Sequence, residues 1–206
     1  VDSASVKLLI HGNEGSGQSF TDSSLSNHTI TAVGGATHSG TQSKFSGGSF
    51  YFDGNGDYLT IPDSTDWDLG SDDFTIDAWI YPTSMTDYVG NSGTIICQDD
   101  NSSSKAWNLR LNSNGTLLFR YTTDGSNEVD KTSGATGISI NNWYHVAVCR
   151  YGSSGEGTSY STLEFFVDGV SKGTVDIAGA TIYSSSTSVL VGARGGPNLY
   201  LSLIHI

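Results

Sequence analysis

The stretch from Phe50 to Pro82, FYFDGNGDYLTIPDSTDWDLGSDDFTIDAWIYP, leaves a chain like this little choice of architecture. It reads as three strands joined by two polar turns. Phe50–Phe52 is short and aromatic. Asp53–Gly56 (DGNG) is turn chemistry, because Gly and Asn accept positive φ. Tyr58–Ile61 resumes strand composition, and Pro62 cannot donate to a ladder. Asp63–Asp73 is an acidic loop. Phe74–Tyr81 then sets Phe74, Ile76, Ala78 and Ile80 against Thr75, Asp77, Trp79 and Tyr81, the period of two that marks a strand with one buried face.

The same pattern recurs along the chain. Ser5–His11 and Asn27–Val33 read as strands before this stretch. After it come Gly93–Gln98, a hairpin of Trp107–Leu111 with Thr116–Tyr121 around Asn114-Gly115, then Trp143–Tyr151 and Leu163–Val167. Asp168-Gly169 turns the chain into Ser171–Ile177, and Ser188–Ala193 follows late. Asp99–Ser104, Asp124–Gly137 and Gly152–Ser161 read as loops. No segment carries a helical apolar period, and no internal repeat is visible. Strands at this spacing predict an all-β, antiparallel two-sheet sandwich.

The run DGNGDYLTIP, the acidic loop, DFTIDAWI, then WYHVAV (Trp143–Val148) and LEFFVDG (Leu163–Gly169) resemble the LamG-like (laminin G/pentraxin-like) jelly-roll domains of the concanavalin A-like lectin/glucanase superfamily. The resemblance covers Val6 to Tyr200. It implies a jelly-roll β-sandwich of concanavalin A type. It says far less about function, since that fold serves many.

Composition narrows the partners. Acids outnumber bases 21 to 9, a net charge of −12. Phosphate backbones and anionic membranes are repelled, so nucleic acid is not an expected partner. No apolar run has membrane length, and no signal-peptide pattern is visible. Val1 is expected to lie inside a longer or processed protein. Cys97 and Cys149 are too few for a disulfide framework and are expected to be reduced and mostly buried.

Catalysis finds little to work with. Glycosidases of the superfamily carry paired glutamates as ExDxE or ExDxxE on one strand. The four glutamates here, Glu14, Glu128, Glu156 and Glu164, never approach that spacing. A polysaccharide lyase is a weaker alternative, because Tyr144 and His145 belong to a structural motif of the family. The reading is therefore a non-catalytic module.

Oxygen-rich loops suit a hard cation. By resemblance to the pentraxins, Gln98–Asn101 (QDDN) matches a calcium loop, which makes Asp99, Asp100 and Asn101 the metal candidates for at most one weakly bound Ca²⁺. The pentraxin ligands expected after the late strand are replaced by Ala193, Arg194 and Gly195. An Arg194–Asp99 or Arg194–Asp100 ion pair is the alternative. The pentraxin disulfide positions correspond to Asp77 and Ala147. Asp53, Asn55 and Asp57 are explained by turn chemistry. Sugar binding needs aromatic platforms on an exposed face. Trp79 and Trp143 are expected in the core and Trp67 at the end of the sandwich, which leaves Tyr81, Tyr88 and Tyr121 as ligand candidates.

The chain's last residues, LSLIHI, break the family pattern where a final strand is expected, and they match the translation of a common sequencing adapter. On that reading residues 1–200 are one domain that lacks its natural last strand, and 201–206 are a non-native tail. The function expected is a carbohydrate- or glycan-binding module of a larger microbial, phage-tail or cell-surface protein, working outside the cell or on a virion beside other domains of its parent chain. A structural or protein-adhesion domain is the alternative.

Overall fold

The computed structural model describes residues 3–45, 47–85, 93–152, 161–195 and 204–205. Fifteen strands are present among them: β1 (Ser16–Gly17), β2 (Thr31–Val33), β3 (Thr37–Ser39), β4 (Ser49–Tyr51), β5 (Tyr58–Ile61), β6 (Phe74–Ile80), β7 (Gly93–Asp99), β8 (Lys105–Leu111), β9 (Leu117–Thr122), β10 (Glu128–Thr132), β11 (Tyr144–Tyr151), β12 (Thr162–Val167), β13 (Val170–Asp176), β14 (Val189–Val191) and β15 (Ile204–His205). One sheet has the order β1-β3-β4-β15-β6-β11-β12-β13 and the other β10-β9-β8-β7-β14-β5-β2. Every pairing is antiparallel. This is the expected jelly-roll sandwich.

Turn chemistry sets the hairpins. Asp168 and Gly169 both have positive φ, 50° and 74°, which matches the twist of a two-residue turn between β12 and β13. Gly115, at φ 79°, closes β8 onto β9, and the amide of Asn112 donates to Thr116 O at 2.8 Å.

Parity then fills the core. Trp107, Leu109 and Leu111 on β8 pair with Tyr121, Phe119 and Leu117 on β9, all turned inward and buried. From the other sheet come Ile80, Val146, Val148 and Phe165, each fully buried. The Phe74 and Phe119 rings meet across the interior with centroids 5.5 Å apart. Val146 and Val148 are ladder partners of β6, facing Ala78 and Ile76 within one sheet. Phe74 and Ile76 are only half-buried.

Three expectations about elements change. Ser5–His11 is not a strand; only Ile10 pairs, in a single bridge to Asp22. Asp22 explains this, since its carboxylate accepts the amides of Leu9, Ser24 and His28 at 3.0, 2.9 and 2.8 Å and ties the segment into a knot of turns. Residues 128–132, expected as loop, form β10 at the edge of the seven-stranded sheet. Ile204–His205 forms β15, where Ile204 sits between Phe50 and Ile80. It lies between β4 and β6 in the sheet.

The cysteines lie on different sheets and both are free. Burial pushes the Cys97 thiol's pKa up. Cys149 is only half-buried, on the outer face, 3.3 Å from Thr75 Oγ1. Asp77 and Ala147, the positions corresponding to the pentraxin disulfide, stand directly opposite each other.

Truncating Phe119 to alanine should destabilise the domain by about 3–5 kcal/mol in urea titration. Asp22 gives an acid-limb prediction. Burial alone would raise its pKa, but the amides of His28, Ser24 and Leu9 outweigh that and hold it below the ordinary value of 3.8. A depressed carboxylate contributes stability above its unfolded pKa and loses it as pH falls through the folded one. Asp22→Asn should therefore lower stability at neutral pH and flatten the loss below pH 3.8; an unchanged acid limb would remove this account of the N-terminal segment.

Candidate functional site

The inward turn of Trp107, Leu109 and Leu111 sends Asn108 and Arg110 to the outer face of the seven-stranded sheet. By register Thr94 and Leu118 flank Arg110, while Cys97 and Arg120 flank Asn108. On β10, Asp130 stands opposite Arg120 and Glu128 opposite Thr122, on the same face. A sandwich normally turns such a face to water. Here Thr94 and Asn108 are fully buried and Arg110 is 7 % exposed.

One part of this face is electrostatically complete. Arg194 Nε donates to Asp99 Oδ2 at 2.7 Å, and its Nη2 reaches Glu128 Oε1. Glu128 also takes Lys105 Nζ at 3.0 Å and Arg120 Nη1 at 2.6 Å. Arg120 in turn holds Asp130, with Nη2 to Oδ2 at 2.8 Å. Burial would raise the Glu128 carboxyl's pKa, but Arg194 and Lys105 pull it below the ordinary range. Arg194 is aimed by its neighbour: a Cβ on Gly195 would lie 2.4 Å from the Asp100 backbone, so only glycine lets this turn pass so close.

The other part is incomplete. The Thr94 hydroxyl, both amide atoms of Asn108 and Arg110 Nε are shielded from solvent and have no hydrogen-bond partner among the described residues. Arg110 makes no ion pair among the described residues. Burial, and after it Arg120 and Arg194, lower its pKa. Arg150 shows how a structural arginine is treated in the same chain. It is 3 % exposed, and its three nitrogens reach Ser161 Oγ at 2.7 Å, Gly70 O at 2.9 Å and Ala180 O at 2.7 Å. Orphaned buried polar groups are costly, and a cluster of them calls for an explanation.

The residues expected to hold calcium are engaged within the protein. Asp99 gives one oxygen to Arg194 and the other to the Asn101 amide at 2.7 Å. Asp100 accepts the amides of Ser102 and Ser104 and the Ser102 hydroxyl. Of the two alternatives read from sequence, the ion pair Arg194–Asp99 is the one formed. Among the described residues no group of three or more His, Cys, Asp or Glu side chains is disposed to hold a metal.

The expected aromatic platforms are dispersed. Tyr121 lies 5 % exposed in the core, because it shares the inward parity of Leu117 and Phe119; it is no exposed platform. Tyr81 is half-buried, its ring 5.4 Å from that of Trp143. Tyr88 falls outside the described residues. Trp67 is buried, with Nε1 bonded to Pro62 O at 3.0 Å. Trp79, expected in the core, belongs instead to the outer face of the eight-stranded sheet. There Phe45 meets it edge-on and Lys44 Nζ lies 4.2 Å from its ring centroid. His145 Nε2 pairs with Asp77 beside it at 2.7 Å. A polar hollow of about 200 Å³ opens elsewhere, lined by His11, Glu14, Thr21 and His38 among others. Sequence reasoning missed Asn108 and Arg110. Their signal was the alternation AWNLRL, in which two large polar residues interrupt a buried strand.

Two antiparallel sheets closed over one core, with a polar cluster on an outer face, define a lectin-like jelly roll. A family model described as the concanavalin A-like lectin/glucanases superfamily, of laminin G type, matches residues 53–202. The chain belongs to that superfamily. Its fold is also that of the binding domain of Paraclostridial Mosquitocidal Protein 1, at 14% identity and TM-score 0.70 over 98% of this chain and 49% of that one. The receptor binding domain of botulinum neurotoxin D gives 12% identity and TM-score 0.61, over 94% and 49%. Domain 4 of AbnA, an extracellular arabinanase from Geobacillus stearothermophilus solved with arabinotriose, gives 18% and 0.60, over 97% and 89%. The chain thus spans about half the length of the two toxin domains. Among curated proteins no sequence match is found.

Arg194 predicts the response to calcium. With the guanidinium in place, millimolar calcium should leave the melting temperature unchanged. Arg194→Ala should lower it and create a calcium-dependent rise, because Asp99 and Glu128 lose their shared cation. A rise in the native chain would show that calcium displaces Arg194.

Proposed function

We propose that the chain is a non-catalytic carbohydrate-binding module of a larger protein, acting outside the cell or on a cell or virion surface. The observation that carries this reading is the set of orphaned polar groups on Thr94, Asn108 and Arg110, on one sheet face. Sugars are recognised by dense hydrogen bonding to hydroxyls, and a site built to make such bonds leaves its donors and acceptors unpaired until the ligand arrives. The complete ion-pair network beside them holds the neighbouring strands in register without a metal. Proteins of this fold support a binding role: one has been solved with arabinotriose, one is the receptor binding domain of botulinum neurotoxin D and one is the binding domain of Paraclostridial Mosquitocidal Protein 1. Among the described residues, Glu128 is held by Arg194, Arg120 and Lys105.

A second reading, docking of a protein partner, rests on the Trp79 patch, where Phe45 is 51 % exposed. Immobilised polysaccharides separate the two. Retention of the native chain should be lost in Asn108→Ala and kept in Trp79→Ala, with no reducing sugar released. Retention lost only in Trp79→Ala would move the site to the other sheet, and release of reducing sugar would make the module an enzyme.

A further inference from the structure

We propose that Arg110 anchors an anionic substituent of a sugar, a carboxylate or a sulfate, so that the ligand of this module is an acidic glycan; the inference rests on the glycan-binding reading above. A neutral sugar could satisfy Asn108 and Thr94, but it would leave the Arg110 charge uncompensated. Arg110 is 7 % exposed, its Nε is shielded from solvent and unpartnered, and it makes no ion pair among the described residues, Asp130 and Glu128 acting on it only from a distance. The chain has carboxylates nearby and commits them elsewhere: Asp99 to Arg194, Asp130 to Arg120, Glu128 to Arg194, Arg120 and Lys105.

Local charge agrees. The chain as a whole is acidic, at −12. Yet Lys105, Arg110, Arg120 and Arg194 meet on this face with only Asp99, Glu128 and Asp130, which leaves one positive charge in excess, on Arg110. Guanidinium is the side chain suited to an oxyanion, because its planar fork donates two parallel bonds. Thr94 stands directly opposite Arg110, and Asn108 lies two residues along the same face. Arg110 keeps some contact with solvent, whereas Thr94 and Asn108 have none, so the anion meets the guanidinium first.

The test is an array of glycans in matched sets, each neutral oligosaccharide beside its uronic acid and its sulfated counterpart, read with the native chain, Arg110→Met and Arg110→Lys. Native signal should be confined to acidic members, and the uronate and sulfate arms identify which anion is bound. Arg110→Met should abolish that signal and melt at a higher temperature than the native chain, because an unpaired buried charge has been replaced by an apolar side chain. Arg110→Lys keeps the charge without the fork and should bind about tenfold more weakly. Signal on neutral members alone overturns the acidic ligand and leaves the glycan-binding reading standing; no signal on any member overturns both. Native-level binding by Arg110→Lys, or a lowered melting temperature or failure to fold in Arg110→Met, assigns Arg110 to the scaffold and overturns its role as anchor.

Discussion

Strand parity is the constraint from which the rest of the molecule follows. On β8, Trp107, Leu109 and Leu111 cannot face the core without turning Asn108 and Arg110 the other way. The same rule on β9 buries Tyr121 and presents Arg120, and on β6 it buries Ile80 and presents Trp79. Hydrophobic packing therefore decides the placement of the polar groups as well. The core is selected for burial, and the outer face receives whatever alternates with it.

That rule explains what could be read in advance. The β-sandwich was legible because long strands such as Phe74–Ile80 alternate cleanly and because Asp168-Gly169 and Asn114-Gly115 mark their turns. The N-terminal segment was misread for an equally physical reason. Val6, Leu8 and Ile10 alternate like a strand, but Asp22 captures the Leu9 amide and ends the pairing at Ile10. β10 was hidden because an edge strand paired on one side, with Glu128 and Asp130 pointing outward, carries no apolar face to announce it. The exposure of the aromatic side chains was illegible for a third reason. Choosing aromatic platforms by exposure requires knowing parity at each strand, and Tyr121 and Trp79 fall on the faces opposite to those assumed.

The outer face of the seven-stranded sheet combines two electrostatic regimes within a few strands. Around Arg194 every charge has a partner, and a guanidinium does the bridging that a divalent ion does in oxygen-rich loops. It joins Asp99 at the end of β7 to Glu128 on β10, so that the middle of the sheet is tied across to its edge. Beside it, the Thr94 hydroxyl, the Asn108 amide and Arg110 Nε are shielded from water without a hydrogen-bond partner among the described residues. A fold can carry that cost only where the surrounding packing is secure, and Leu109, Phe119 and Leu117 immediately beneath are fully buried.

The short strand β15 has a mechanical consequence. Among the described residues, the eight-stranded sheet is joined between β4 and β6 by the pairing of Ile204 with Phe50 on one side and of Ile204 and His205 with Ile80 and Trp79 on the other. By contrast, β6 and β11 are laced together from Tyr144 to Arg150. Under tension the sheet would yield along the β4–β15–β6 seam first, so that β1, β3 and β4 peel away as one flap while the half built on β6, β11, β12 and β13 still bears load. That seam lies on the sheet opposite the one that carries Arg110.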